Sequence, residues 1–175
     1  MKILSTLILL VFLVSCNNSS SVRAENVEKP FFDLKGFFEK EAANQKFKTI
    51  EKTAKIDEKS ETKTLTSFDL KTEIKLFTDC DINNPSLFDK YKTDESSEGN
   101  LTYTALNDDL KVQKIEILKA DNLVQKITIY KKVKTQIYNS EKVLTYEPNI
   151  GYSIQNNQKT LGSDNKDYGI KVVFK

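Results

Sequence analysis

The stretch whose reading decides the fold is Val112-Gln113-Lys114-Ile115-Glu116-Ile117-Leu118-Lys119-Ala120-Asp121-Asn122-Leu123-Val124-Gln125-Lys126-Ile127-Thr128-Ile129. Ile115 and Ile117 alternate with charged residues, and Ile127 and Ile129 alternate with Lys126 and Thr128. Each half therefore has one dry side and one wet side, the pattern of a strand in an antiparallel sheet with one solvated face. Two closures of the hairpin compete. A two-residue Asp121-Asn122 turn sets Ile117 against Lys126 and Ile115 against Thr128, whereas a three-residue Ala120-Asp121-Asn122 loop sets Ile117 against Gln125 and Ile115 against Ile127. The second keeps the apolar residues on one face, so it is the expected loop, with Asn122 in the left-handed region.

The same period extends in both directions. Leu101, Tyr103 and Ala105 alternate ahead of the turn Asn107-Asp108-Asp109, and the parity slips between Val112 and Ile115, which requires a bulge. Beyond the hairpin come Leu144 and Tyr146 before Glu147-Pro148-Asn149, then Ile150, Tyr152 and Ile154, a polar loop over residues 156–167, and finally Tyr168, Ile170, Val172 and Phe174. Residues 47–56 and 61–65 read as a solvated hairpin around Asp57-Glu58-Lys59-Ser60, and residues 91–100, with Asp94-Glu95-Ser96-Ser97-Glu98-Gly99, as a mobile loop.

Two helical segments precede most strands. Over residues 31–47 the positions Phe31, Leu34, Phe38 and Ala42 follow 3,4 spacing, with Phe37 widening the stripe and Asp33 near the N-terminal cap. Gly36 costs about 1 kcal/mol against Ala there, which implies close packing or a late start. Thr66 to Asp69 fits a capping box, after which Leu70, Ile74 and Phe77 form one stripe flanked by Phe68, Leu76 and Cys80. Asn84-Pro85 opens a short turn carrying Leu87, Phe88 and Tyr91. The fold expected is α+β: an antiparallel meander of five to seven strands, curved or half-barrel, covered on its apolar face by the N-terminal helices.

Composition narrows the chemistry. The chain has 175 residues, 27 Lys plus Arg, 25 Asp plus Glu, two Cys and no His. A near-neutral balance supplies no general field for nucleic acid, and the lack of His removes the commonest general base and metal ligand. There is no Gly-rich phosphate loop, GxSxG elbow or CxxC pair, so no cofactor is expected. Asp79-x-Asp81-x-Asn83 matches the first oxygens of a helix-loop-helix calcium site. The match then fails, because Asn84 stands where Gly should turn the chain and Lys90 where a bidentate Glu should close it. It reads as a helix stop with Asn84 capping the next turn. Glu39/Glu41 and Asp108/Asp109 are carboxylate pairs outside any apolar run. Lys126, Lys131, Lys132, Lys134, Lys142 and Lys171, interleaved with Tyr130, Tyr138 and Tyr146, could present a surface for a glycan or an acidic partner. Lysine on exposed strands also serves ordinary solvation and edge protection.

The N-terminus carries an address. After Met1-Lys2 the apolar run of residues 3–14 spans about 18 Å as helix, short of the roughly 30 Å of a bilayer core, which fits an export signal rather than a span. It closes on Leu13-Val14-Ser15-Cys16, which resembles the bacterial lipobox; an ordinary signal peptide with a Cys at this place is the plainer alternative. The resemblance implies cleavage before Cys16 and lipidation of its thiol and amine. One acyl chain binds a membrane marginally, and several bind it effectively permanently. The division expected is a signal peptide over residues 1–15, a lipidated Cys and flexible tether over 16–30, and one globular α+β domain over 31–175. Cys80 would then be the one thiol of the folded part, beside Phe77 and Ile82 and expected to be buried.

The lipobox, the Ser and Asn tether, Phe31-Phe32-Asp33-Leu34-Lys35-Gly36-Phe37-Phe38, Asp81-Ile82-Asn83-Asn84-Pro85 and Tyr152-Ser153-Ile154-Gln155 together resemble a group of small Bacteroidota outer-membrane lipoproteins whose activity is not established. That resemblance implies an outer-membrane location and no catalytic residue to carry over. Asn17-Asn18-Ser19 lacks the acidic residues that usually follow the Cys in surface-exposed members, which leaves the periplasmic and outer faces both open. The function expected is a non-catalytic, membrane-anchored envelope lipoprotein that binds a protein partner or an apolar ligand. The alternatives are a carboxylate-dependent hydrolase of envelope glycans and a purely structural assembly accessory.

Overall fold

The computed structural model describes residues 29–175; the signal segment, Cys16 and most of the tether lie outside the described residues. The described residues form one nine-stranded antiparallel sheet that does not close, in the order β2-β1-β9-β8-β7-β6-β5-β4-β3. The strands are β1 (Ile50–Ile56), β2 (Lys59–Leu65), β3 (Tyr91–Glu95), β4 (Leu101–Ala105), β5 (Val112–Ala120), β6 (Leu123–Lys134), β7 (Tyr138–Glu147), β8 (Gly151–Thr160) and β9 (Lys166–Phe174). β3 to β9 form a meander, and β1 returns to pair with β9.

Nine strands stand where five to seven were expected, and β3 is part of the reason. Tyr91–Glu95 pairs with β4 instead of forming the expected mobile loop. Only Tyr91 of its residues is buried, so this edge strand shows no alternation. The polar loop after Ile154 is also shorter than expected. Asn156, Asn157 and Gln158 pair with Tyr168, Asp167 and Lys166, so two strands continue as polar ladders into solvent.

The β5–β6 hairpin resolves the competition between closures in a third way. Asp121 and Asn122 both have positive φ, 51° and 61°, and form a two-residue turn with Ala120 opposite Leu123. A register shift between Leu118 and Lys119 then leaves Gln125 unpaired, and Ile117 meets Ile127 while Ile115 meets Ile129. The three-residue loop is therefore incorrect: a tight turn plus a bulge restores the same apolar face. A second shift between Val112 and Lys114 supplies the bulge that the parity slip requires.

Helix α1 (Leu34–Ala43) is shorter than residues 31–47. Asp33 stops it at the N-terminus, because its Oδ1 accepts from the Gly36 amide at 2.9 Å. A Cβ on Gly36 would collide with that carboxylate, so the late start and the close packing expected at this glycine are one fact. The residues before the cap are held extended. Asn83 accepts from the Phe31 amide at 3.1 Å and donates to the Phe32 carbonyl at 3.0 Å, and the Tyr103 hydroxyl accepts from the Phe32 amide at 2.9 Å. Phe31 thereby packs edge-on against Tyr103, Tyr91 and Phe88.

The second helical stretch starts later than the capping box predicts and is broken. Asp69, not Thr66, is the cap: it accepts from the Lys71 amide and the Thr72 hydroxyl. Two short turns follow, α2 (Leu70–Glu73) and α3 (Lys75–Thr78), with Ile74 between them. The stripe Leu70, Ile74 and Phe77 is buried as expected. After it, Asn84 accepts from the Ser86 amide and caps the 3₁₀ turn Pro85–Leu87, as the sequence predicts.

Candidate functional site

Register and burial assign every sheet residue to a face. The inner face carries the buried set: Ile50, Val172, Tyr152, Tyr146, Leu144, Ile127, Ile129, Ile115, Ile117 and Tyr103. Its rings meet those of the helical segments, with Phe38 centred 5.0 Å from Tyr146 and Phe77 5.7 Å from Tyr152. Phe31, Phe38, Ile74 and Phe77, which would line an interior apolar site, are all buried.

Two carboxylates reach this face and are bound there. Glu41 accepts from the Tyr146 hydroxyl at 2.8 Å. Glu73 accepts from the Tyr152 hydroxyl and, at 2.8 Å, from Lys52. Burial pushes the Glu73 carboxyl up, but the Lys52 and Tyr152 hydrogen bonds outweigh it and hold the group below its ordinary value. Burial first, and then the facing carboxylates, push the Tyr146 and Tyr152 hydroxyls far above theirs. The two phenol–carboxylate hydrogen bonds join helix to strand: Tyr146 on β7 to Glu41 on α1, and Tyr152 on β8 to Glu73 on α2.

The lysine and tyrosine set does not form one surface. Ladder parity sends Lys126, Lys132, Lys134, Lys171 and Tyr130 to the outer face, and Lys131, Lys142, Tyr138 and Tyr146 to the inner one. Tyr146 is 1 % exposed and can contact no partner. Two outer lysines are already paired, Lys126 with Glu147 and Lys132 with Glu141. Tyr130 is held by Glu116 at 3.1 Å, with Lys114 5.5 Å from its ring centroid.

The outer face has a depression that the sequence pattern missed. Gly169 lies between Lys55 on β1 and Gln155 on β8, followed in the same row by Val143 on β7 and Tyr130 on β6. With no side chain at Gly169, an open groove of about 480 Å³ forms there, walled by Lys55, Val143, Gln155, Glu141, Asn157 and Asp167. Asn157 donates to Asp167 at 2.7 Å, leaving amides, two carboxylates and one ammonium facing solvent. That mixture suits a polar partner that both donates and accepts hydrogen bonds. The available signal was the single glycine inside an alternating strand.

Comparison with protein-family models, with curated protein sequences and with solved structures finds no match for this chain. The residues themselves must carry any functional reading.

Further residues singled out from the sequence have structural partners. Asp81 accepts from the Lys35 and Asn83 amides, and Asn83 ties down Phe31 and Phe32, so two oxygens of the calcium-like spacing serve the α1 entry. No group of three His, Cys, Asp or Glu able to hold a metal occurs among the described residues. Cys80 is fully buried and donates to the Leu76 carbonyl at 3.0 Å. Burial, aided by Asp79, pushes the thiol up against the opposing effect of Lys131. Asp109 donates its amide to the Asn107 side chain within a turn. Among the described residues no helix is long and apolar enough to cross a membrane.

Proposed function

We propose that this chain is a non-catalytic envelope lipoprotein, anchored through lipid on Cys16, whose folded domain binds a protein partner on the outer face of its sheet. The observation that carries the reading is Leu13-Val14-Ser15-Cys16 closing a short apolar run, since thioether formation needs a sulfur nucleophile and no other residue can replace it. Residues 17–29 serve as the tether in this reading, and a fully extended chain of that length reaches about 43 Å, enough to hold a domain clear of headgroups. In this reading residues 31–175 form a single α+β domain, curved or half-barrel, with α1, α2 and α3 covering the apolar face. The ring contacts of Phe38 and Phe77 with Tyr146 and Tyr152 support that layering. The same contacts favour a protein partner over an apolar ligand, because the side chains that would enclose a ligand enclose one another. The resemblance to Bacteroidota lipoproteins supports an outer-membrane site for the anchor.

One observation keeps a hydrolase in view: Glu141 and Asp167 wall the same groove from strands two apart, about 9.6 Å at the backbone. Inverting glycosidases hold their carboxyl groups about 6.5–9.5 Å apart, a spacing that side chains rising from backbones this far apart can reach. Both residues are solvent-exposed, however, and neither occupies the apolar recess that makes a carboxyl group a proton donor.

The test is the full chain expressed in a lipoprotein-processing bacterium with Cys16→Ser beside the parent. The parent should sit in the membrane fraction with an intact mass increased by diacylglycerol and acyl groups, and Cys16→Ser should lose both. An unmodified parent N-terminus, or Cys16→Ser still firmly in the membrane, would overturn the anchor. Glycan release abolished by Glu141→Gln would overturn the non-catalytic assignment.

A further inference from the structure

β2 is an outermost strand, and its residues from Lys59 to Thr64 are all exposed. Its backbone polarity follows from the ladder. The Asp57 amide donates to the Asp167 carbonyl, so β1 turns the backbone groups of Lys55, Thr53 and Glu51 toward β9 and those of Ile56, Ala54 and Lys52 toward β2. Lys59, Glu61 and Lys63 therefore bond to β1, while Ser60, Thr62 and Thr64 direct their N–H and C=O groups outward. On the side-chain level the same alternation puts Lys59, Glu61, Lys63 and Leu65 on the inner face and Ser60, Thr62 and Thr64 on the outer face. Thr62 contacts Thr53 there at 2.8 Å.

We propose that β2 pairs antiparallel with β2 of a second copy of this chain about a two-fold axis through Thr62, joining two nine-stranded sheets edge to edge. In that register Thr62 faces its own counterpart and Ser60 faces Thr64 of the partner subunit, and these are the residues whose backbone groups are free. The same register sets Glu61 opposite Lys63 of the partner subunit, twice by symmetry, in the close pairs where cross-strand charges interact most. Glu61 and Lys63 of one chain now contact each other at 2.9 Å, on the face where the counterparts would arrive. Neighbouring registers fail on both counts. An axis at Glu61 opposes Glu61 to itself and Lys59 to Lys63, an axis at Lys63 opposes two lysines, and both would align backbone groups already bonded to β1. Lysine on an edge ordinarily repels another strand. Glu61 between Lys59 and Lys63 removes that repulsion in the register about Thr62, which pairs the whole of β2, whereas an axis through Ser60, which also opposes Lys59 to Glu61, leaves most of the strand unpaired; the edge therefore favours itself in that one full-length register.

The opposite edge, β3, has an acid–base pair about Thr93 in the reverse order, with Lys92 and Asp94 in contact at 2.7 Å. It offers five residues against the seven of β2, and it begins at Tyr91, whose hydroxyl is fixed to the Val112 carbonyl. Shorter edges are the ones that resist pairing. Pairing at this edge does not depend on the lipid anchor.

Cysteine cross-linking of the full chain in detergent tests it. Thr62→Cys should give a disulfide-linked dimer under mild oxidation, whereas Thr64→Cys should not, because its counterpart would be about 14 Å away along the strand. Ser60→Cys mixed with Thr64→Cys should cross-link. Glu61→Lys should reduce Thr62→Cys dimer at least tenfold, and adding Lys63→Glu should restore it. A monomer at every position, equal cross-linking at residues 60, 62 and 64, dimer from Thr93→Cys in place of Thr62→Cys, or no rescue by the charge swap would each overturn the proposal.

Discussion

The two faces of the sheet are built from the same strands and behave as different materials. On the inner face Phe38, Phe77, Tyr146 and Tyr152 are nearly or fully buried and meet edge to face, an arrangement aromatic quadrupoles favour. On the outer face the same ladder carries Thr145, Thr128, Lys132 and Glu141, in contacts between half-exposed groups. A contact on the first face removes apolar area from water and cannot be replaced by solvent. A contact on the second exchanges with water at little cost. Stability therefore rests on the inner face, while the contacts of the outer face and the edges exchange with water.

The sharpest way to break this contrast is Phe77→Ala, which removes a fully buried ring touching Phe38, Tyr146 and Tyr152 and should cost about 3–5 kcal/mol in denaturant unfolding. A loss below about 1 kcal/mol would mean the inner face is not a packed core.

A smaller effect comes from pH. Glu73 is held below its ordinary value of 4.5, so its contribution is present above that value and is lost as pH falls through the lower folded-state value. Tyr146 and Tyr152 are raised from 10.0, so theirs is present below pH 10 and is lost as pH rises toward the folded-state values. Tyr91, pushed up to about 12 by burial and then by Cys80, adds to the alkaline loss. Thermal melting against pH should show a plateau bounded on both sides. Glu73→Gln should flatten the acid arm and Tyr152→Phe should soften the alkaline one; arms unchanged by both variants would assign the titration elsewhere.

Deletion of Gln125 should cost less than about 1 kcal/mol, because removing the bulged residue leaves Ile117 opposite Ile127 and Ile115 opposite Ile129. Deletion of Thr128 would shift Ile127 off the inner face and should unfold the hairpin, so equal tolerance of both would discard the bulge. Smallest of all, Lys132→Ala removes a 3.8 Å contact to a 70 % exposed Glu141 side chain and should change stability by less than about 0.5 kcal/mol.

What could be read in the chain follows from how much burial each element carries. Ile115, Ile117, Leu144, Tyr146, Tyr152 and Val172 alternate because one side of each strand is dry, so the antiparallel meander and its inward residues were legible. Tyr91–Glu95 and the polar ends of β8 and β9 were not, since an exposed edge or overhang imposes no pattern on its side chains. Helix ends failed for a different reason. Thr66 and Asp69 are both competent caps; Asp69 is the one used, its carboxylate also accepting from the Thr72 hydroxyl, and local sequence does not rank the two. The groove at Gly169 depends on Lys55 and Gln155, far apart in sequence, becoming neighbours across β9.

Sequence alone determined the period of the strands that have a dry side, the bulge near Val112, the buried Cys80 and the lack of His chemistry, because these depend on residue type and on spacing within one segment. Tertiary structure decided the hairpin closure at Asp121-Asn122, the division of the lysines between two faces, the pairing of Glu41 and Glu73 with tyrosine hydroxyls, and the free edge at β2. Each of these depends on which strand lies beside which, and strand order is fixed by the joint burial of residues that no local window contains.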